Sequence, residues 1–441
     1  MRRFTILASL AMLATPVSAQ TPPVSVTTAV VLDPAAARRV AELPALLAGT
    51  ADPATVFAPE FLAQVPAAQV TALTAQLRAA SGPVGAVERI DPHSPWSAGV
   101  EVGYAKGVAT IEIVVAPDAP NRITGLRIKG LLPRVSSLAE IDAALAALPG
   151  TTGLMLAKLG DGAPAPVVAR NGTRAFAIGS EFKLVILAEL VRAIEAGERR
   201  WDEEVVLDGV PLPGGLFATA PKGTKVSIRD LAGRMISVSD NSATDILLRT
   251  LGRAKVEAML PVVGIADPKA MRPFLGTLEL FKLKGVEGGA LGRRYAAANE
   301  AGRRALLAGP VAAAPISAID ADLFKAGKPL QIETLEWFAT PNDMVRVMDW
   351  LRRHTGRGPA AEARAILAKN PAVGAAAERW RYVGYKGGSE PGVMAMTFLL
   401  QAKDGGWWAL SGSWNDPAAA VDEVKFAGLV ARAVELAAPT P

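Results

Sequence analysis

The sequence predicts an α/β protein: a three-layer sandwich, with helices on both faces of an antiparallel sheet, follows a smaller α+β domain. Three observations support this class. Half of the 441 residues are hydrophobic, which suffices for more than one core. Near the start, apolar spacing changes from a helical period to strict alternation. Later, strand patterns at both ends of the second part enclose a largely helical stretch.

The composition argues against several kinds of site. Without cysteine the chain has no disulfide, zinc thiolate, iron–sulfur cluster or cysteine nucleophile. Its two histidines argue against a multi-histidine metal site or a Ser-His-Asp triad. A net charge of +5 comes with only 5% aromatic residues, so no nucleic-acid partner is expected. We expect no metal or organic cofactor.

Residues 1–19 have the pattern of a secretory signal peptide. A pair of arginines precedes a mostly apolar run, and Val17 and Ala19 form a small-x-small cleavage pattern. The run is shorter than the roughly 20 residues that a bilayer-spanning helix needs. We therefore expect an extended leader over residues 20–33 and a periplasmic or secreted protein without a transmembrane segment after cleavage.

Residues 34–148 are predicted to form the smaller α+β domain. Helical spacing favours two or three helices up to about residue 80, and alternation then predicts a strand meander with a hairpin turn at Ala105-Lys106-Gly107. The predicted strands are Val84–Ile90, Gly99–Tyr104, Val108–Val115 and Ile123–Ile128. No reactive set of residues occurs here, so this domain is expected to bind, position or cover something.

Residues 149–441 are predicted to form the sandwich. A hairpin pattern over Gly153–Arg170 leads to a helix from Ser180 to about Ala196, and a largely helical middle follows. The last predicted elements are the strands Met394–Gln401 and Trp407–Trp414 and a helix opened by Pro417. Because strands from both ends enclose the helices, they belong to one sandwich.

Ser180 and Lys183 are three positions apart at the first turn of an apolar helix, so their side chains lie on one face. A serine hydroxyl needs a base, and a desolvated lysine with a lowered pKa can serve as one. The helix N-terminus also supplies an N–H group for an oxyanion. Taken alone, Ser-x-x-Lys is common and more often marks an N-capping serine beside a solvated lysine.

Two further motifs follow in order. Ser239-Asp240-Asn241 precedes a helix and by itself is more often a simple N-cap. Tyr385-Lys386-Gly387-Gly388-Ser389 precedes a strand and by itself is a glycine-rich turn. With Ser-x-x-Lys they form the set found in class A β-lactamases and penicillin-binding proteins.

Residues 150–441 resemble the class A β-lactamase-related serine hydrolases, and the agreement extends beyond these motifs. The similar segments are Phe176–Leu190, Leu231–Leu248, the Thr-Pro-x-Asp-Met segment Ala339–Met344, and Tyr385–Asn415. The resemblance implies the β-lactamase-like fold. It also implies that Ser180 is the acylated nucleophile and that Lys183 accepts its proton.

The same resemblance implies the remaining roles. Ser239 would pass a proton to the leaving nitrogen, and Asn241 would orient the substrate amide. Lys386 would attract the substrate carboxylate, and Gly388 and Ser389 belong to the same substrate-binding segment. The N–H groups of the nucleophile and of Ser389 would form the oxyanion hole.

Two departures from the family pattern matter. The family's Lys-Thr-Gly is here Lys386-Gly387-Gly388, which lacks a hydroxyl that helps to hold the carboxylate. The Glu-x-x-x-Asn pattern of the deacylating glutamate is missing. In the corresponding stretch, Met271–Phe281, Glu279 is the candidate deacylating base, with an ordinary helix-surface glutamate as the alternative. Without such a base the acyl-enzyme would persist.

The predicted function is therefore an exported serine hydrolase that is acylated by a β-lactam or a related amide or ester and hydrolyses it. One alternative is a penicillin-binding, D-alanyl-peptidase-like or esterase-like protein with slow deacylation. Another is a non-hydrolytic cell-wall-binding module. A protein without acylation would require Ser180 to lie beyond hydrogen-bond reach, roughly 3 Å, of Lys183 or Ser239.

The expected partner is a small β-lactam or a cell-wall peptide-like substrate, and the sequence leaves the oligomeric state open. The order of an α+β domain before the hydrolase also resembles two-domain β-lactamase-like proteins among the clavam-biosynthesis enzymes. In those proteins the first domain is steroid-isomerase-like or cystatin-like. The resemblance implies the same kind of fold for residues 34–148.

Overall fold

The computed structural model describes residues 30–320, 322–323 and 327–439. The predicted signal peptide, residues 1–19, and all but the last four residues of the predicted leader lie outside this part. None of the helices in the described ranges has the length and apolarity needed to cross a bilayer.

The N-terminal domain packs helices against one face of an antiparallel sheet. The first helix begins at Pro34 because the Asp33 side chain accepts a hydrogen bond from the Ala35 N–H, and it ends where Gly49 adopts a left-handed conformation (φ 74°). The helices are α1 (Pro34–Ala48), α2 (Pro53–Val56), α3 (Pro59–Gln64) and α4 (Ala67–Ser81). The sequence predicts two or three helices up to about residue 80, and the structure has four over residues 34–81.

The sheet of this domain has the strand order β1-β2-β3-β4. Its strands are β1 (Val84–Ser94), β2 (Ser97–Tyr104), β3 (Gly107–Val115) and β4 (Ile123–Pro133). Val100 and Val102 are buried under the helices, whereas Glu101 between them lies on the other face. The predicted α+β arrangement and its strand meander are confirmed, while the steroid-isomerase or cystatin resemblance stays a prediction.

The second part of the chain is built around a five-stranded antiparallel sheet with the order β11-β12-β13-β5-β6. Two short pairs, β7 with β10 and β8 with β9, accompany it. The strands are β5 (Thr151–Leu159), β6 (Ala165–Arg170), β7 (Phe176–Ala177), β8 (Glu204–Val206), β9 (Lys225–Ser227), β10 (Phe338–Ala339), β11 (Tyr382–Glu390), β12 (Val393–Gln401) and β13 (Trp407–Asn415).

Helices cover both faces of this sheet. The helices are α5 (Leu138–Ala146), α6 (Lys183–Glu195), α7 (Ile228–Ser237), α8 (Asn241–Leu251), α9 (Arg253–Val262), α10 (Thr277–Gly285), α11 (Ala290–Ala297), α12 (Glu300–Leu306), α13 (Pro341–His354), α14 (Glu362–Ala368) and α15 (Glu423–Ala437). On β5, Leu154 and Leu156 face α5 and α15, and Met155 and Ala157 face the larger layer around α6. The predicted three-layer sandwich is thus confirmed.

One predicted boundary is wrong. The last helix begins at Glu423 and not at Pro417. Asp422 supplies the cap, since its side chain accepts a hydrogen bond from the Lys425 N–H. Proline suits the first turn of a helix but does not by itself supply that cap.

Helix α5 belongs to the core of the sandwich, because Ile141 and Leu145 are fully buried with residues of α15. The predicted division of the chain after residue 148 stays a prediction, and this packing favours a division before α5. Strand β4 lies against α15, on the side of the sandwich opposite to α6. The N-terminal domain therefore contacts the face of the sandwich that is remote from Ser180.

Candidate active site

The nucleophile candidate Ser180 lies on a tight turn between β7 and α6. The predicted helix starts here as a 3-10 turn over Gly179–Phe182 and becomes α-helical at Lys183. Gly179 has a φ of +48°, which favours glycine. The Phe182 ring stacks on Trp337 with 3.7 Å between the ring centroids and fixes the turn on the core. Ser180 itself is half-buried.

The loop before α8 places Ser239 in a strained conformation. Its φ is +56°, which is uncommon for a residue other than glycine. The buried Asp240 holds the loop, since its carboxylate accepts hydrogen bonds from the N–H groups of Leu216 (2.8 Å) and Ala243 (3.0 Å). As a result, the hydroxyl and the carbonyl oxygen of Ser239 both point at one lysine.

That lysine is Lys183, which is fully buried. Its Nζ donates to Ser239 O (2.7 Å), Ser239 Oγ (3.0 Å) and Asn241 Oδ1 (2.8 Å). Burial and then the positive charge of Lys386 lower the pKa of Lys183 well below its usual range. A neutral amine also fits this setting, because the Ser239 hydroxyl can donate as well as accept.

A second buried lysine reaches the same serine. Lys386 is on β11, and its Nζ donates to Ser239 Oγ (3.1 Å) and to the Gly387 carbonyl. Burial lowers the pKa of Lys386 to about 8, against the opposing influence of Glu181. The structure thus brings Lys183, Ser239, Asn241 and Lys386 together.

Strand β11 passes very close to the nucleophile turn at Gly388. A Cβ atom on Gly388 would lie 2.1 Å from the Ile178 carbonyl oxygen and 2.5 Å from the Ser180 nitrogen. A Cβ on Gly179 would lie 3.1 Å from the Ser389 nitrogen. The two amides predicted to form the oxyanion hole, those of Ser180 and Ser389, are therefore on adjacent segments.

One predicted contact is absent from the hydrogen bonds of the described residues. No bond joins the Ser180 hydroxyl to Lys183 or Ser239, because the amine is occupied by Ser239 and Asn241. Catalytic hydrogen bonds are often long in an enzyme without substrate and tighten around it. The missing hydrogen bond is what a protein without acylation would require, but it is also compatible with an enzyme that has no substrate bound. An acylation experiment distinguishes these two interpretations.

Glu279 is not brought to this group. One carboxylate oxygen accepts from Arg253 Nη2 (2.5 Å), and the other accepts from the Gly276 N–H (2.8 Å) at the start of α10. It also lines a cavity of about 310 Å³ whose lining includes Arg253 and Leu307 and, besides Glu279, none of the predicted site residues. Both oxygens serve the helix cap and an ion pair, which disfavours Glu279 as the deacylating base, and that role stays a prediction.

Two charged features of this region were missed by the sequence reasoning. Glu181, beside the nucleophile, is fully buried, although its sequence position was read only as a spacer in Ser-x-x-Lys. Lys284 is buried with Glu336 and Glu390. For Glu181 a signal existed, namely a charged residue in an otherwise apolar run. For the Lys284 cluster no local signal existed, because its members are far apart in the chain.

The second part of the chain is similar to known proteins. A family model described as the beta-lactamase enzyme family matches residues 137–374, more than half of the chain. A search of curated proteins finds no similar sequence. Among solved structures, the chain is similar to a beta-lactamase from Sphaerobacter thermophilus DSM 20745. The identity is 22%, the coverage is 68% of this chain and 92% of that chain, and the TM-score is 0.45.

Two other similar structures are PBP-A and a beta-lactamase from Chitinophaga pinensis DSM 2588. PBP-A is 15% identical over 69% of this chain and 97% of that chain, with a TM-score of 0.45. The second is 16% identical over 68% of this chain and 96% of that chain, also with a TM-score of 0.45. Because the family model covers more than half of its residues, the protein belongs to the beta-lactamase enzyme family and is a β-lactamase-like serine hydrolase.

Proposed function

We propose that the protein is a class A-type serine hydrolase that is acylated on Ser180 by a β-lactam or a related amide or ester. The observation that carries the proposal is the buried Lys183 amine, which Ser239 and Asn241 hold beside the nucleophile turn and which no carboxylate of the described residues contacts. Burial lowers the pKa of this lysine and so favours its neutral form, which can act as a base.

In the proposed acylation, neutral Lys183 takes the proton from the Ser180 hydroxyl, and Oγ attacks the carbonyl carbon of the substrate. The N–H groups of Ser180 and Ser389 stabilise the negative oxygen. The C–N or C–O bond then breaks, and the leaving atom receives a proton through Ser239, which contacts both lysines. The product is an ester between Ser180 and the acyl group.

Substrate binding would use the opposite side of the same cluster. Lys386 would attract the substrate carboxylate, Asn241 would orient the amide, and Gly388 allows β11 to approach the bound acyl group. The absence of the family's threonine hydroxyl at Gly387 leaves Lys386 as the main group for the carboxylate in this segment.

A second candidate function is favoured by one observation. Glu279, the predicted deacylating base, is occupied in the cap of α10. Slow deacylation would make the protein penicillin-binding, D-alanyl-peptidase-like or esterase-like. Without turnover of any kind it would be a cell-wall-binding module.

We also propose that the protein is exported to the periplasm or secreted, and that it meets a β-lactam or a cell-wall peptide there. This rests on the signal-peptide pattern of residues 1–19, which lie outside the described residues. The size of the N-terminal fragment removed from the mature protein, measured by intact mass, tests it.

The test of function uses the full mature protein and its Ser180→Ala variant. Each is mixed with a chromogenic cephalosporin and with a penicillin, hydrolysis is followed, and intact masses are recorded. We expect an adduct on the wild type that the variant lacks. Multiple turnovers would support a working β-lactamase, and a stable adduct without turnover would support the slow-deacylation candidate. No adduct and no Ser180-dependent hydrolysis would refute acylation by β-lactams.

A further inference from the structure

The residue next to the nucleophile is a buried carboxyl group that the proposed mechanism does not use. Glu181 is 0% exposed, and neither of its carboxylate oxygens has a hydrogen-bond partner. A buried carboxylate without partners is strongly unfavourable, and native proteins rarely keep one without a functional reason. Because Glu181 lies on the same turn as Ser180, we look for this functional reason in the active site.

Glu181 lies near a polar row on a largely apolar sheet surface, which also carries the buried hydroxyl of Ser413. Lys386 on β11 pairs directly with Thr397 on β12, and Thr397 pairs directly with Ser411 on β13. Directly paired residues point to the same face of a sheet, here the face that packs against α6. Their apolar neighbours on that face are Ala395, Leu399 and Ala409.

The hydroxyls of this row do not satisfy the carboxyl group. Thr397 Oγ1 donates to Ser411 Oγ at 3.0 Å, so its proton is already used. The Thr397 hydroxyl lies near enough to lower the pKa of Glu181 as a hydrogen-bond donor would, against the larger effect of burial, although it forms no regular hydrogen bond with the carboxyl group. Among the described residues, the charge that acts on Glu181 from the sheet is therefore that of Lys386.

The titratable groups around Glu181 come from β11 and from its own turn. The elements packed against the turn are β11, β12 and α6. From β11 come Lys386 and Tyr385, and burial together with the Glu181 charge raises the pKa of Tyr385. Strand β12 contributes only Thr397, and α6 contributes Lys183 at its start. Lys386 is thus the one partner of opposite charge on the sheet within this described region.

Burial shifts the pKa values of Glu181 and Lys386 in opposite directions, so that the two values become similar. It raises the pKa of Glu181 to about 8 and lowers the pKa of Lys386 to about 8. Near neutral pH, Glu181 is therefore a neutral acid and Lys386 carries a positive charge. Either group can lose a proton to solvent as the pH rises, and the two losses are coupled.

We propose that Glu181 is a positioning residue that controls how much of the Lys386 charge is available to a substrate carboxylate. As a neutral acid it leaves that charge to the substrate. Once ionised, it becomes an internal anion that competes with the substrate for Lys386. The inference rests on the proposed function, in which Lys386 attracts the carboxylate, and it makes Glu181 a determinant of the preference for anionic substrates.

The direction of the pH effect depends on how many deprotonation steps can remove the net positive charge of the Glu181–Lys386 pair. In the wild type, the net positive charge of the pair disappears either when Glu181 ionises or when Lys386 loses its proton. In Glu181→Gln only the second route remains, so the charge persists to a higher pH. The alkaline limb of kcat/KM for an anionic substrate should therefore move upward in the variant.

The experiment compares a chromogenic cephalosporin with its carboxylate methyl ester, which is uncharged. For the anionic form, we expect Glu181→Gln to match the wild type at pH 6 and to shift the alkaline limb upward by about 0.3 pH unit, because one of two routes with similar pKa values is removed. This corresponds to about a twofold higher kcat/KM on the alkaline side. The change should appear in KM and not in kcat, and the methyl ester should show no shift.

Controls separate a charge effect from a structural one. Glu189→Gln alters another buried carboxylate on α6, which pairs with Arg192 at 2.7 Å, and should leave the limb in place. Glu181→Asp keeps the charge and should retain the wild-type limb. If Glu181→Gln does not fold, Glu181→Met is a second uncharged variant. The alkaline limbs of the wild type with the cephalosporin and with its methyl ester can also be compared without any variant.

The outcomes are distinct. An unchanged limb in a folded uncharged variant, or an equal shift for the methyl ester, would overturn the role of Glu181. So would a wild type whose alkaline limb is the same for both substrates. If neither substrate reacts in a Ser180-dependent way, the proposed function itself fails. Reaction of the methyl ester alone would instead refute the attraction of the carboxylate by Lys386.

Discussion

Two buried lysines of this protein, Lys183 and Lys284, have opposite surroundings. Lys284 Nζ donates to Glu336 at 2.6 Å and also contacts Glu390. Burial alone would lower the pKa of Lys284, but the two carboxylates outweigh burial and raise it. Among the described residues, the hydrogen bonds of Lys183 Nζ go to neutral oxygens of Ser239 and Asn241, and the pKa of Lys183 falls well below its usual range.

The comparison teaches that burial by itself does not decide what a lysine does. A carboxylate partner keeps a buried lysine charged and makes it part of the scaffold. Neutral partners leave it able to lose its proton, which is what a base requires. The Lys284 cluster also joins α10 to the end of β11 at Glu390, directly after Ser389, so it supports the strand that borders the site.

The largest expected effect is that of Lys183→Ala on acylation. We expect the rate of adduct formation to fall by about 10²–10⁴-fold, because the general base is lost. The melting temperature should stay the same or rise, since a desolvated amine without a counter-ion is removed. Intact mass against time and a thermal melt measure the two quantities. A lower melting temperature with an unchanged rate of acylation would mean that Lys183 is a structural residue like Lys284 and not a base.

Lys284→Met should show the opposite pattern. It leaves Glu336 and Glu390 buried without their cation, so the free energy of unfolding should fall by about 3–5 kcal/mol. Burial, and then Glu336, already raise the pKa of Glu390 well above its usual range. Lower pH protonates Glu390, so the deficit should be smaller at pH 5 than at pH 7. Urea unfolding at both pH values tests this, and a loss that grows as the pH falls would contradict it.

Gly388→Ala tests the close approach of β11 to the nucleophile turn. The added Cβ would meet the Ser180 nitrogen and the Ile178 oxygen, so the strand must move. A displacement of about 1 Å can reduce catalysis by about 10²-fold. Gly160→Ala is the matched control, because a Cβ there meets no atom within 4 Å. Equal kcat/KM values for the two variants would show that the approach is unimportant.

Glu279→Gln should have the smallest effect. The partly buried pair with Arg253 would weaken, and the free energy of unfolding should fall by less than about 1 kcal/mol. The lifetime of the acyl-enzyme should not change, since the carboxylate is occupied in the cap of α10. Time-resolved intact mass after an excess of penicillin is removed measures that lifetime. A clearly longer lifetime would restore Glu279 as the deacylating base.

Much of the fold could be predicted because its signals are local. Alternation in the last strands, and the hairpin at Ala105-Lys106-Gly107, depend on the two-residue period of a strand. The prediction that α15 starts at Pro417 is wrong because a proline alone does not start a helix. The Asp422 cap determines the observed start at Glu423. For the site, the motifs located Ser180, Lys183 and Lys386, but the hydrogen bonds of Lys183 were not foreseen.

The sequence by itself determined which chemical groups the protein has and the period in which they repeat along each element. The tertiary structure alone decided their charges. Glu336 and Glu390 stand 52 and 106 positions from Lys284, and no local pattern links residues so far apart. The same holds for Glu181, which is a neutral acid near pH 7 only because sheet and helix exclude water from it. Motifs identify reactive residues, but folding sets their protonation, because burial and partners arise from contacts between distant segments.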